Sequence, residues 1–221
     1  LPHIMKDLEI DAATAQWLQS IFMLVNGIMI PVTAFLIERF TTRALFLTAM
    51  GSFAVGTLVA AVATGFSVLM FGRVLHAAGA GIMMPLMQTI MFLIFPIEKR
   101  GTAMGLFGMV IAFAPAIGPT LSGWLVETFP WRSLFYVVLP IAIIDLIVAN
   151  KILVNVTKQT FPKVDTVSII LSTLGFGGIL YGFSMAGDVN HGWVSGMVLI
   201  PLVVGAVTLY FFIRRQFKLE K

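Results

Sequence analysis

The sequence predicts an all-α polytopic membrane protein, and three observations carry that expectation. The 221 residues are 59% hydrophobic and only 11% charged, with a mean hydropathy of +1.00. A soluble domain is about 45–50% apolar and about 25% charged, so lipid must be the solvent for most of this chain. The apolar residues gather into seven continuous runs, each close to the ~20 residues that a helix needs to cross a bilayer core. The basic residues between the runs fall almost entirely on alternate sides. A β-barrel is disfavoured, because its strands would show about ten residues of apolar–polar alternation.

The runs follow one another with short connections. The first, Trp17–Ile37, carries Gln19 and Asn26, with Gln16 just ahead of it. The second is Ala44–Val62. The third, Val68–Phe95, is overlong and contains Pro85, so a tilt or a kink is expected. The fourth is Thr102–Val126 and the fifth Ser133–Val154. The last two, Thr166–Met185 and Trp193–Ile213, hold no ionisable residue away from their ends and read as lipid-facing helices.

Loop charges orient the chain. One set of alternate loops holds eleven basic residues: Arg39, Arg43, Lys99, Arg100, Lys151, Lys158, Lys163, Arg214, Arg215, Lys218 and Lys221. The other set holds two, Lys6 and Arg132. The positive-inside rule then puts residues 1–16 outside and the C-terminus in the cytoplasm. Asp7, Glu9, Asp11, Glu127 and Asp188 all fall on the outer side. The net charge of +4 is modest and its residues are scattered singly, so no nucleic-acid partner is expected. There is no cysteine, which excludes disulfides and thiol chemistry. His3, His76 and His191 are far apart, and no metallopeptidase or nucleophile-elbow motif occurs. No catalytic residue, metal ligand or cofactor is therefore expected, and a membrane enzyme or simple anchor is a remote alternative. The opening "LPHI" and the charged ending read as the limits of a piece of a longer polypeptide.

Two ionisable residues lie inside the runs, where a charge at the helix centre costs about 2.5–3.5 kcal/mol on insertion scales. For Arg73, two readings stand: it snorkels to the outer headgroups, or it faces a cavity, where it binds an anion or depresses a carboxylate's pKa. His76, Ala77, Gly79 and Gly81 follow it, and Gln88 shares its helical face. Asp145, in "LPIAIIDLIVANKI", has no basic neighbour one turn away. Either it is a protonated, packed carboxyl, or it meets water and cations in a central cavity that Asn26, Gln19 and Gln16 would also line, with Gln88 and His76 as further candidate cavity residues. Hydrogen bonding between helices is the competing role for Gln19 and Asn26.

The fourth run poses a separate question. "GLFGMVIAFAPAIGPTLSGWL", Gly105 to Leu125, puts four glycines and two prolines into one membrane-length segment. These residues weaken a helix by about 1 and about 3 kcal/mol each. Pro115 and Pro119 donate nothing to the ladder and loosen the backbone near Ile111. A plain anchor gains nothing from this, whereas a helix that bends, slides or seals against a moving partner does.

The spacing of Gly105, Ala114, Gly118-Pro119 and Ser122-Gly123 resembles the antiporter motif in the fifth helix of drug:proton exporters of the major facilitator superfamily. Ala114 and Ser122 stand where that motif has Gly. "LMFGRVLHAAGAGIMMPL" is similar to the fourth-helix motif, with Arg73, Gly79 and Gly81 on its Arg and Gly positions. "AFLIERFTTRAL" resembles the motif joining the second and third helices, with Glu38, Arg39 and Arg43 on acidic and basic positions; Ala34, Thr41 and Thr42 depart from it. "LPHIMKDL" and "PWRSLFYVVLPIA" look like the outer end of the first helix and the entry to the sixth. "LSTLGFGGILYGFSMAGDVNHGW" is similar to the extra helices of the fourteen-span, EmrB/QacA-like branch.

That resemblance implies an architecture and a mechanism. Residues 1–160 would form the N-terminal six-helix bundle with most of its first helix missing. Residues 161–221 would form two inserted helices and the start of a cytoplasmic linker. The function implied is proton-coupled efflux of amphipathic or cationic drugs by alternating access from a bacterial cytoplasmic membrane. A narrow-substrate exporter or nutrient carrier of the same fold is the alternative. The proton gradient drives it without a cofactor; the partners are the bilayer, drugs, protons and the C-terminal half of the same transporter. Arg73, Glu38, Arg39 and Arg43 would couple protons and gate, with Glu38 suited to a helix N-terminus on the other half. Gly105, Ala114, Pro115, Gly118, Pro119 and Gly123 would form the packing face of the antiporter motif.

Overall fold

The computed structural model of the chain describes residues 2–157, 159, 165–186 and 193–219. Lys158, Lys163, Asp188, His191 and Lys221, which entered the topology and metal-site readings, lie outside the described residues. The elements are α1 (Pro2–Leu8), α2 (Ala12–Arg39), α3 (Thr42–Ala61), α4 (Phe66–Ile94), α5 (Ile97–Thr128), α6 (Ser133–Ile152), α7 (Thr166–Ala186) and α8 (Gly196–Leu219). The helices α2 to α8 are seven segments long and apolar enough to cross a membrane. They coincide with the seven apolar runs and extend past them by up to six residues at several ends, where capping and charged residues flank the apolar stretch.

Asp11 caps α2 by accepting from the Thr14 amide at 2.8 Å. Thr41 caps α3 by accepting from the Ala44 amide at 3.2 Å. Asp165 caps α7 by accepting from the Ser168 amide at 3.2 Å. Pro96 sits at the N-cap of α5, and Glu98 falls in its first turn, where an acidic side chain suits the helix dipole. Inside the helices, several hydroxyls are satisfied against the backbone, as lipid favours, while the buried Ser133 Oγ at the start of α6 has no partner among the described residues. Thr33 donates to the Met29 carbonyl at 2.6 Å and Thr57 to the Phe53 carbonyl at 2.7 Å.

The bundle is built on α4. It packs most extensively against α3 and next against α2, while α3 also packs on α6. Glycine makes the α3–α4 approach possible: a Cβ on Gly72 would lie 2.8 Å from the Ala60 amide, and one on Gly79 would lie 2.7 Å from the Phe53 amide. Real Cβ atoms do not approach that closely, so the two backbones touch. Ser52 Oγ adds a hydrogen bond to the Leu75 carbonyl at 2.9 Å. Two apolar clusters mark the ends of the bundle. One gathers Leu18, Ala60, Ala63, Leu69 and Trp131; the other gathers Leu45, Phe46, Leu86, Ile90 and Ala149.

The last two helices form a tight hairpin. A Cβ on Gly178 would meet the Pro201 carbonyl at 2.9 Å. The expectation that both are lipid-facing is corrected for α7. It packs on α2, with Gly177 against Ile28 and Trp17 stacked near Tyr181 at 6.0 Å between ring centroids. Its small and hydroxyl residues Ser168, Ser172, Gly175 and Gly182 are buried. Hydropathy alone cannot separate a helix that packs on protein through small residues from one that faces lipid.

Candidate functional site

Arg73 lies on the face of α4 that meets α2. Its Nε donates to the Leu18 carbonyl at 3.2 Å, and its guanidinium lies 4.5 Å from the centre of the Phe22 ring. Its half-buried charge is held against a carbonyl and a ring face at the α2–α4 contact. His76, one turn on, stands edge-on to Phe22 at 5.4 Å and to Phe53 at 4.1 Å. Its buried Nδ1 has no hydrogen-bond partner among the described residues. Arg73, Phe22, His76 and Phe53 thus form one continuous contact across α2, α3 and α4.

The other candidate cavity residues do not converge on that point. Asn26 is on the α2–α4 contact, its carbonyl 2.9 Å from where a Cβ on Gly81 would sit. Gln19 is exposed and lines a groove of about 570 Å³ between α2 and α7, with Gln16, Ser20, Met23, Leu180, Phe183 and Ser184 nearby. Gln88 is exposed on α4. Asp145 is half-buried on α6, which packs on α3 and touches α5. The structure therefore brings Gln16 and Gln19 together at the α2–α7 groove and Arg73 and His76 together at the α2–α4 contact, with Asp145 on α6.

Glu38 and Arg39 are exposed at the end of α2. Arg43 has a structural partner instead: its Nη2 donates to the Asn150 carbonyl and to Asn150 Oδ1 at 2.9 Å, and its amide donates to Asn155 Oδ1 at 3.2 Å. Thr42 and Thr157 share a hydroxyl hydrogen bond at 2.8 Å beside it. These contacts stitch the start of α3 to the end of α6.

The opposite end is tied by Arg132. It donates to Asp7 Oδ2 at 2.6 Å and to the Ala63 carbonyl at 2.7 Å, and stacks 4.3 Å over Trp131. Trp131 donates to the same Asp7 oxygen at 3.0 Å. These two bonds, the Trp131 one foremost, hold the Asp7 carboxyl below its ordinary range. Asp7, Ala63 and Arg132 are thereby gathered at one end, and Thr42, Asn150 and Thr157 at the other. That grouping is the alternation that five successive spans, α2 to α6, require.

The residues that resemble the antiporter motif share one property. Gly105, Ala114, Pro115, Gly118, Pro119 and Gly123 are all exposed, and a Cβ on Gly105, Gly108, Gly118 or Gly123 would meet nothing within 4 Å. Within α5 only Ala103 and Leu125 are buried. A hollow of about 600 Å³ runs along Leu106, Met109, Val110, Phe113, Ala114, Ile117 and Gly118. The helix is continuous through both prolines.

Sequence reading missed one constellation. Asp165 pairs with Arg215 across the α7–α8 hairpin, Nε to Oδ2 at 2.9 Å and Nη2 to Oδ1 at 3.0 Å. The Arg215 guanidinium, with help from Ser168, holds the Asp165 carboxyl well below the usual carboxylate range. The capping pattern Asp165-x-x-Ser168 was the available signal; its basic partner, fifty residues away in sequence, was not.

Seven membrane-length helices, with a half-buried charge held by a carbonyl and an aromatic ring, define a multi-pass membrane protein. The chain matches the Major Facilitator Superfamily over residues 1–219 and belongs to that family. It is 62% identical over its whole length to the MFS-type transporter YcnB of Bacillus subtilis, covering 46% of that protein. It is 46% identical over its whole length to the lincomycin resistance protein LmrB of Listeria innocua, again covering 46%. It is 30% identical over 208 residues, 94% of this chain and 40% of the relative, to the multidrug export protein EmrB of Haemophilus influenzae. The chain thus spans somewhat under half the length of these relatives.

Proposed function

We propose that the chain is the N-terminal part of a proton-coupled exporter of amphipathic or cationic drugs, working by alternating access in a bacterial cytoplasmic membrane. Residues 1–160 then form the N-terminal bundle, residues 161–221 the inserted pair and the start of a linker. Residues 1–16 lie outside, and the C-terminal end lies in the cytoplasm. The observation that carries this reading is the bare face of α5. A helix rich in Gly and Pro leaves its small residues untouched, and a face of that kind suits a second half that docks and undocks. Drug resistance and drug export in the names of LmrB and EmrB support the substrate class.

In this scheme α5 seals the path against the other half when the two close. Arg73 holds its cationic charge at the α2–α4 contact and sets the proton affinity of a nearby carboxylate. Glu38 and Arg39 latch the inner side, with Arg43 fixing the base on which they move. Asp145 binds the cationic group of a substrate. The proton gradient supplies the energy and no cofactor takes part. The test is dye export by the full-length transporter in inverted vesicles. Several unrelated cationic dyes should move while the gradient stands and stop when a protonophore collapses it. Transport of one metabolite only, or transport indifferent to the gradient, would overturn the reading.

A further inference from the structure

The inner end of the α7–α8 hairpin carries a hollow of about 360 Å³ that the transport scheme does not use. It is lined by Val167, Leu171 and Phe211 below and by Arg214, Arg215 and Lys218 above. Phe211 is 52% exposed and Val167 49%, so the lower wall opens toward lipid. The three cations belong to the last turns of α8 and sit where a membrane helix leaves the hydrocarbon.

Arg215 is already engaged. Its two-pronged pairing with Asp165 clamps the hairpin and fixes one side of the hollow's charged wall. Arg214 and Lys218 are exposed and form no ion pair among the described residues. They lie four residues apart, and hence on one helical face. An apolar wall below and a pair of cations above is the layout of a phospholipid: acyl chain against Val167, Leu171 and Phe211, phosphate against Arg214 and Lys218. Anionic headgroups favour such basic hollows between membrane helices.

We propose that this hollow is a binding site for one anionic phospholipid, with Arg214 and Lys218 on its headgroup phosphate. The site is independent of the drug and proton chemistry proposed above. Bound lipid bridges α8 to the membrane surface and holds the hairpin at a fixed depth.

The test uses the full-length protein in nanodiscs of phosphatidylcholine with a minor fraction of phosphatidylglycerol, and counts retained phosphatidylglycerol by native mass spectrometry. Removing both charges with Arg214→Gln and Lys218→Gln should weaken retention roughly thirty-fold. The same charge loss at Lys99→Gln and Arg100→Gln should leave retention of that lipid unchanged. Leu171→Trp, which fills the apolar wall and keeps every charge, should also lower retention, while thermal melting shows that each variant is folded. Equal loss in both charge-neutralised pairs would reduce the effect to general surface attraction and overturn the site. So would full retention in the Arg214/Lys218 pair. Displacement by millimolar inorganic phosphate would identify a free-anion site and overturn the lipid assignment.

Discussion

The two longest helices, α4 with 29 residues and α5 with 32, are both interrupted by glycine and proline and both read as motif-bearing in the sequence. Their surroundings are opposite. In α4, Gly72, Gly79 and Gly81 each meet a neighbouring backbone closely enough that no Cβ could fit. In α5, Gly105, Gly108, Gly118 and Gly123 meet nothing. Glycine in α4 is a built contact, complete inside this chain. Glycine in α5 is a face without an occupant. The same residue type therefore stands in two settings: pressed against neighbouring backbone in α4 and open in α5.

Substitutions can break this comparison. The largest effect is expected at Gly79→Leu, which drives a side chain into the backbone of α3. Overpacking typically costs about 1–3 kcal/mol and more where a backbone must retreat. Folded protein, measured by size-exclusion of a fluorescent fusion, should fall nearly to zero. Gly118→Leu should do the reverse: folded yield unchanged, dye export reduced at least about tenfold, because the added side chain meets its obstacle only on docking. If export persists, α5 does not close tightly on a partner. If yield collapses instead, α5 is already packed.

Arg73→Ala should rank next. It removes a hydrogen bond from a charged donor, about 1.5–3 kcal/mol, and a ring contact of about 0.5–2 kcal/mol. Melting temperature and coupled export should both drop, and Arg73→Lys should recover the first only in part, since Lys lacks the planar fork. Asp145→Asn should leave folding intact. A charge ~10 Å away at an effective dielectric of ~20 is worth about 1.7 kcal/mol, so export of a cationic dye should fall roughly fifteenfold while a neutral drug is spared. Equal, undiminished export of both would remove Asp145 from the pathway. The smallest effect concerns the hairpin clamp. The lowered native pKa of Asp165 means that its pairing with Arg215 adds stability above the ordinary value of 3.8 and loses it only in stronger acid. Melting temperature should therefore lose its Asp165-dependent part, defined against Asp165→Asn, only below about pH 4.

Much of the fold was legible because span length and loop charge are set by the membrane itself. The seven runs and the helices differ chiefly at their caps, where Asp11, Thr41 and Pro96 begin helices ahead of the apolar stretch. The site was legible in part. Arg73 announced itself as a charge in lipid, but its partners, a carbonyl on Leu18 and the ring of Phe22, carry no sequence signal. Asp145 and Asn26 shared a polarity that suggested a shared cavity. Which face of each helix turns toward the other is a matter of packing, and α3 packs with both α4 and α6. The role of Arg43 was missed for a similar reason: its partner Asn150 is ordinary in sequence and is brought close only by the fold.

One consequence of α5 is mechanical. Its buried residues, Ala103 and Leu125, are its points of support, and they lie about 33 Å apart at 1.5 Å per residue. Between them the helix is a beam resting on its two ends. A beam so supported deflects most at mid-span, and the midpoint of 103 and 125 is residue 114. Ala114 is followed there by Pro115, whose ring removes a ladder hydrogen bond and lowers the bending stiffness. The softest point thus coincides with the point of greatest leverage. A load applied to the bare face would then bow α5 at its centre while its supports at Ala103 and Leu125 stay in register with the rest of the bundle.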